Sequence, residues 1–212
     1  MKPRATLAEL LFPTRCLGCR ILGIQICATC RRSWNPHIYR SIHFSGSESF
    51  SVYSAVMYSP IAGRILLAAK EESIALADQL IVGAIVHALT YFIREVGDGN
   101  FVPVPSRTAA SRLRGRDFLA EMSDQAARPF GARSLSLLRH GRLIHDQSRL
   151  SARQRAINIG GGLTLKKAAI VPNDPLIIID DLVTTGASLS ESVRILRESG
   201  ARVRGAVTAC RA

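Results

Sequence analysis

Two groups of residues in this sequence have the types and spacings that chemistry uses. Cys16, Cys19, Cys27 and Cys30 follow the pattern C-x2-C-x7-C-x2-C, while the fifth cysteine, Cys210, stands alone near the other end. Two C-x2-C hooks can each place two thiolates on one metal ion and so complete a tetrahedral four-sulfur shell, for which Zn2+ is the expected ion. With every position filled by protein, such an ion folds its segment and does not catalyse. Gly18 and Gly23 allow the tight turns that so short a spacer requires. A redox dithiol, an iron–sulfur centre or a metal-free cluster are the competing chemistries. Cys210 follows an apolar stretch and reads as a small core residue.

The second group is PLIIIDDLVTTGAS at 175–188, in which an aliphatic run leads into Asp180 and Asp181 and then into Thr184, Thr185, Gly186, Ala187 and Ser188. A turn that opens a helix offers unpaired N–H groups and the positive end of the helix dipole, glycine permits close approach, and the hydroxyls add donors; a phosphate suits that arrangement. The two carboxylates just upstream would repel a second phosphate but accept hydrogen bonds from sugar hydroxyls. Together they suggest a pentose 5-phosphate, with its phosphate in the turn and its 2- and 3-hydroxyls at Asp180 and Asp181. Taken singly, each piece fits an ordinary strand–turn–helix junction; their conjunction is what points to a ligand.

The elements that must position these groups follow from periodicity. The run 176–179 reads as a central parallel strand buried on both faces, ending at the two carboxylates. A helix follows, with Ser188 and Glu191 spaced as a capping box, Leu189, Val193 and Leu196 on one face, and Gly200 as its stop. Residues 203–209 supply another strand, so the unit is a β-α-β crossover of a doubly wound α/β domain, where ligands bind at the carboxyl ends of the strands. Upstream, Val52, Val56 and Tyr58 mark a strand, residues 61–95 a long helical region broken near Ser73, FVPVP at 101–105 a short buried strand, 107–128 a helix and 135–138 a further strand. Residues 31–50 lack a period and read as a linker, giving a knuckle-and-linker unit at 1–48 and an α/β domain at 49–212.

A chain of 212 residues suits one medium domain with a small appendage, and 47% hydrophobic with 21% charged residues excludes a largely disordered or fibrous chain. Lys and Arg number 28 against 16 Asp and Glu, a formal charge of +12 that favours anionic partners: phosphorylated metabolites, nucleic acid or an acidic membrane surface. The longest apolar run, 80–93, is shorter than the roughly 20 residues of a bilayer span and reads as a buried helix. No signal-peptide pattern is visible at the start, so no membrane span is expected and the cytoplasm is the expected location.

The strand, acidic pair and Thr-Thr-Gly turn resemble the signature of the type I phosphoribosyltransferases. More narrowly, the chain resembles their ComF-type, competence-associated family through the four cysteines after LLFPTR, FVPVPS at 101–106, RLRGRDF at 112–118 and QSRLSARQRAINIGGG at 147–162. The resemblance implies a mostly parallel phosphoribosyltransferase-like sheet and transfer of a phosphoribosyl group from phosphoribosyl pyrophosphate, with Mg2+, to a nitrogen acceptor of unknown identity. It implies that Asp180 and Asp181 meet the ribose, that residues 184–188 hold the 5-phosphate, that Ser106 and Arg107 lie in the loop meeting pyrophosphate, and that the stretch around Gln147, Arg153 and Arg155 forms a mobile hood. Purine-salvage relatives carry an aspartate where this chain has Thr184, which argues against a hypoxanthine or guanine acceptor. Where the family commonly has Arg-Gly-Phe-Asn-Gln, Arg116 is followed here by Asp117, Phe118 and Leu119.

A different class of function competes. The arginines at 107, 112, 114 and 116 and those at 139, 142, 149, 153 and 155 suit either phosphate contact or a solvated face. Trp34, Tyr39 and Phe44 could stack on bases or form a small satellite core. On that reading the chain is a non-catalytic, nucleic-acid-associated accessory factor that uses the sugar-phosphate site as a sensor, and it is the family resemblance that implies DNA or the DNA-uptake machinery as its partner. Both readings leave homo-oligomers open.

Overall fold

A computed structural model describes residues 14–106, 115–141 and 162–212. In chain order the elements are α1 (Ala28–Ser33), β1 (Tyr39–Ser45), β2 (Glu48–Met57), α2 (Pro60–Glu72), α3 (Ala75–Val96), β3 (Asn100–Pro103), α4 (Phe118–Ala127), β4 (Leu138–His140), β5 (Leu163–Leu165), β6 (Leu176–Val183), α5 (Ala187–Glu198) and β7 (Val203–Arg211). Five strands form the main sheet in the order β1-β2-β7-β6-β3, and β4 pairs with β5 apart from it. The β2–β7, β7–β6 and β6–β3 pairings are parallel and only β1 runs antiparallel to its neighbour. The chain is therefore a mixed α/β protein with a mostly parallel central sheet, as its pattern predicts.

Burial explains the central strands. Leu176, Ile177, Ile178 and Ile179 are all fully buried in β6, because a strand with parallel neighbours on either side is covered on both faces. Helices supply the covers. Ala77, Ile81, Ala84, Ile85, Ala88, Leu89 and Phe92 form one buried stripe along α3 at helical spacing, and that stripe packs on β2 and β7. Gly205 lets Phe92 sit down on β7, since a Cβ there would lie 2.5 Å from the Ser51 carbonyl oxygen and 3.0 Å from the Phe92 ring. By length and composition α3 could cross a membrane, but its apolar stripe is taken up by the sheet.

Two contacts of β1 show that helices lie on both sides of the sheet. Arg40 donates to Glu95 of α3 at 2.9 Å, and the Ser45 hydroxyl donates to the Ser190 carbonyl of α5 at 3.0 Å. Arg40 and Ser45 are five positions apart in the strand, so they point to opposite faces, with α3 on one and α5 on the other. The doubly wound arrangement is thus present.

Several local readings need correction. The stretch 31–50 is no featureless linker: it contains the end of α1, all of β1 and the start of β2. The break near Ser73 holds, with Ser73 in the left-handed region at φ 51° ending α2. The strand β6 does not stop at the carboxylates but runs on through Asp180, Asp181, Leu182 and Val183. Ser188 caps nothing: the N-cap of α5 is Gly186 at φ +78°, and Glu191 instead accepts from Arg194 at 2.7 and 2.8 Å. The strand expected at 135–138 lies slightly later, as β4; of the helix expected at 107–128, residues 107–114 lie outside the described residues and α4 takes up Phe118–Ala127.

Candidate functional site

The expected ligand site lies where β6 outruns its neighbour. Strand β3 ends at Pro103 opposite Ile179, and the Val104 N–H still reaches the Ile179 carbonyl at 2.9 Å. Beyond that point the chain after β3 diverges, and a cavity of about 450 Å³ opens over the end of β6. Asp180, Asp181, Thr184 and Ser188 line one side of it, Ser106 and His140 another, and Val104, Phe118 and Leu119 form an apolar wall. An adjoining recess of about 60 Å³ is enclosed by Asp180, Leu182 and residues 183–189.

Strand geometry sends the two carboxylates to opposite faces. Asp180 stands beside Thr208 of β7, on the α5 side, while Asp181 turns to α2 and forms an ion pair with Lys70 Nζ. Both still border the cavity because it wraps the exposed rim of the strand. Asp180 Oδ1 accepts from the Asp181 N–H at 2.9 Å. Burial first, and then the Asp181 charge next door, push the Asp180 carboxyl well above the usual carboxylate range. A hydroxyl donor arriving at this rim would offset the burial cost.

The turn after β6 is held open by its glycine. Gly186 adopts φ +78°, and a Cβ on it would collide with the imidazole of His43 on β1. His43 is itself anchored through Nε2 to the Ser41 hydroxyl at 3.1 Å, and burial, with Arg211 adding its charge, lowers its pKa. The start of α5 borders the recess, with Thr184, Thr185 and Ser188 exposed around it, and the Ala187 N–H reaches Thr185 Oγ1 at 3.4 Å. Such a helix start can bind an anion through N–H groups and dipole together.

Of the residues singled out in the sequence, the structure brings Asp180, Asp181, Thr184, Ser188 and Ser106 to one cavity and puts Thr185, Gly186 and Ala187 at its recess. Arg107, Gln147, Arg153 and Arg155 lie outside the described residues, as do Arg112, Arg114, Arg142, Arg149 and His145. Arg116 is a structural cation: it holds Asp78 of α3 through two bonds of 2.9 and 3.0 Å and lies over the Phe118 ring. Sequence reasoning missed Lys70 and left His140 aside. Lys70 follows an apolar helical stretch, and no local spacing ties it to a strand so far along the chain. His140 Nε2 lies 2.9 Å from the Pro105 carbonyl oxygen, which gives β4 its place at the cavity.

The four cysteines also converge. Their sulfurs all lie within 4.8 Å of one another, and Cys19 Sγ and Cys27 Sγ are 3.7 Å apart. A tetrahedral shell with zinc–sulfur bonds of ~2.3 Å sets its sulfurs ~3.8 Å apart, so the donor set fits Zn2+. Cys27 N–H points at Cys16 Sγ at 3.4 Å and Cys30 N–H at Cys27 Sγ at 3.5 Å. Burial pushes the Cys16 thiol up, but the N–H donors of Cys19, Cys27 and Gly18 outweigh it and hold it at about 6. Burial and the neighbouring sulfurs push Cys30 up.

The knuckle docks on α2. Gly18 lies so close to Cys30 and Ile61 that a Cβ would meet them at 2.6 and 2.9 Å, and Arg64 of α2 donates to the Gly18 carbonyl at 2.6 Å. Trp34 is buried in this satellite of the core and cannot offer its face to a base, whereas Phe44 is 64% exposed. Cys210 is fully buried, and burial raises its thiol to about 12.

No family model matches the chain. A 45-residue stretch, 21% of this chain and 25% of the relative, is 40% identical to an adenine phosphoribosyltransferase from Sodalis glossinidius (strain morsitans). The chain thus spans about a quarter of the curated relative it matches. Among solved structures, an adenine phosphoribosyltransferase is similar in outline at a TM-score of 0.46 and 14% identity, over 87% of this chain and 90% of that one. The adenine phosphoribosyltransferase of Saccharomyces cerevisiae, complexed with D-2,5-dideoxy-2,5-imino-altritol 1,6-bisphosphate and adenine, gives a TM-score of 0.43 and 12% identity over 88% and 90%.

Proposed function

We propose that this chain binds phosphoribosyl pyrophosphate and transfers its phosphoribosyl group to a nitrogen acceptor with release of pyrophosphate. The observation that carries the reading is the sharing of one cavity by an acidic pair and an open helix start. The 45-residue match to an adenine phosphoribosyltransferase supports it, and the four-cysteine knuckle ahead of the sheet suits the ComF-type members of that class.

In this reading the turn at residues 184–188 takes the 5-phosphate through the N–H groups of α5 and the hydroxyls of Thr184, Thr185 and Ser188. Asp180 accepts from a ribose hydroxyl, and Asp181, held by Lys70, borders the same sugar. The chemistry is a displacement: the bond from the anomeric carbon to pyrophosphate oxygen breaks, a bond from that carbon to the acceptor nitrogen forms, and the nitrogen gives up its proton to solvent. Positive charge grows on the sugar ring as the bond breaks, and the carboxylates at its edge are placed to offset it. Loss of one such preorganised contact costs ~10²–10³ in rate. Ser106 and, outside the described residues, Arg107 belong to the pyrophosphate side. Val104, Phe118 and Leu119 offer the acceptor an apolar wall. The Cys16, Cys19, Cys27 and Cys30 thiolates would hold a structural Zn2+.

Mg2+ would come with the pyrophosphate. The acid pair itself does not suit an ion of its own, because Lys70 already lies against an Asp181 oxygen.

The test is a melting curve. Phosphoribosyl pyrophosphate with Mg2+ at a hundred times its dissociation constant should raise the melting temperature by about 5–10 °C. The combined Asp180→Asn and Asp181→Asn variant should show no rise. A flat response of the wild-type chain at millimolar ligand overturns the reading.

A further inference from the structure

We propose that Lys70 is a resident counter-ion that stands where a divalent cation would otherwise bind the acidic pair, so that the pair recruits no metal of its own. The inference concerns the carboxylates and holds whichever ligand the cavity takes; the metal alone is the probe, so its failure is distinct from failure of the phosphoribosyl reading.

The geometry is specific. Asp181 is 6% exposed, and its Oδ2 meets the Lys70 ammonium. A buried carboxylate must be paired, and here the partner is a side chain of the same molecule. Lys70 sits in the last turn of α2, which Ser73 closes in a left-handed cap, so the ammonium is delivered from a fixed helix end. On the other carboxylate, Asp180 Oδ1 is engaged by the Asp181 N–H.

Mg2+ and Mn2+ prefer several oxygen ligands, Mg2+ at ~2.0–2.1 Å in octahedral array. One oxygen of Asp181 lies against an ammonium and one of Asp180 accepts from an amide; a divalent ion can be held through as few as one carboxylate with waters, so what excludes it is the ammonium charge, which already offsets Asp181 and repels the incoming cation. Two adjacent acids at a strand end look like a metal site in sequence. The lysine converts them into a hydrogen-bond acceptor for neutral hydroxyls.

Mn2+ titration of the zinc-loaded full chain, read by electron paramagnetic resonance and by melting temperature, tests this. The wild-type chain should show no Mn2+ site that depends on Asp181. Lys70→Met should gain one, binding at least tenfold more tightly than any site in the wild type, and Asp181→Asn added to Lys70→Met should abolish it. Lys70→Arg, which keeps the charge, should gain none. Should Lys70→Met melt before it can be titrated, Mn2+ must restore its cooperative transition. A wild-type Mn2+ site that Asp181→Asn removes, or a Lys70→Met chain that neither binds Mn2+ nor is rescued by it, overturns the proposal.

Discussion

The knuckle and the rim of the sheet both gather groups of like charge, and they differ in what holds those groups together. At the knuckle, four sulfurs lie within 4.8 Å of one another, backed by a small apolar patch of Leu17, Ile26 and Trp34. At the rim, two carboxylates stand on a strand whose preceding four residues are fully buried. An ion shared by the thiolates would offset their charge, and its binding would then be coupled to the folding of so small a unit. The rim depends on the core, and its charges are left partly uncompensated. The difference separates a cluster whose charges one ion could offset from a pair whose charges are only partly offset within the fold.

Stripping the metal is the sharpest way to break that contrast. Chelation, or Cys30→Ser, should abolish stoichiometric zinc by metal analysis and open residues 14–34 to protease, while amides of β6 and β7 keep their hydrogen-exchange protection. Equal loss of protection in both regions would show that they fold as one unit. A smaller effect is expected at the turn. Gly186→Ala forces a left-handed alanine against His43 and should cost about 1–3 kcal/mol, with loss of the ligand-induced melting shift. Combining it with His43→Ala should recover part of the stability but not the shift, as a double-mutant cycle would report.

The smallest effect has the opposite sign. Burial and the Asp181 charge raise the Asp180 pKa in the folded chain. Its stabilising contribution is then complete below the unfolded carboxyl value and is lost as pH rises through the folded one. Asp180→Asn should accordingly raise the ligand-free melting temperature at pH 7 by about 2–4 °C, the equivalent of ~1 kcal/mol in a chain of this size. The gain should vanish in a melt near pH 4. A variant less stable than wild type at pH 7 would mean that Asp180 is satisfied in the resting protein.

Much of this was legible from residue order, and the exceptions have physical causes. The β6–α5–β7 unit announced itself because a strand buried on both faces leaves an unbroken aliphatic run. Strand β1 was hidden because its pattern is inverted: Ser41, His43 and Ser45 face inward toward α5, while Ile42 and Phe44 are 61% and 64% exposed. The capping box was misread because a left-handed glycine had taken the position Ser188 seemed to hold. Asp180 and Asp181 looked like the end of a strand because carboxylates are rare inside one, but β6 overhangs β3 and has a rim to carry them. Lys70 was illegible in principle, since only the tertiary fold brings α2 to β6.

Helix α2 touches both regions compared above. Near its start Arg64 grips the knuckle, and at its far end Lys70 grips the acidic pair. A helix of thirteen residues thus works as a strut between a four-thiolate cluster and an acidic pair. Wherever zinc supply fluctuates, the affinity of the distant cavity should drift with it, so any titration of that cavity is also an assay of how fully the sulfurs are loaded.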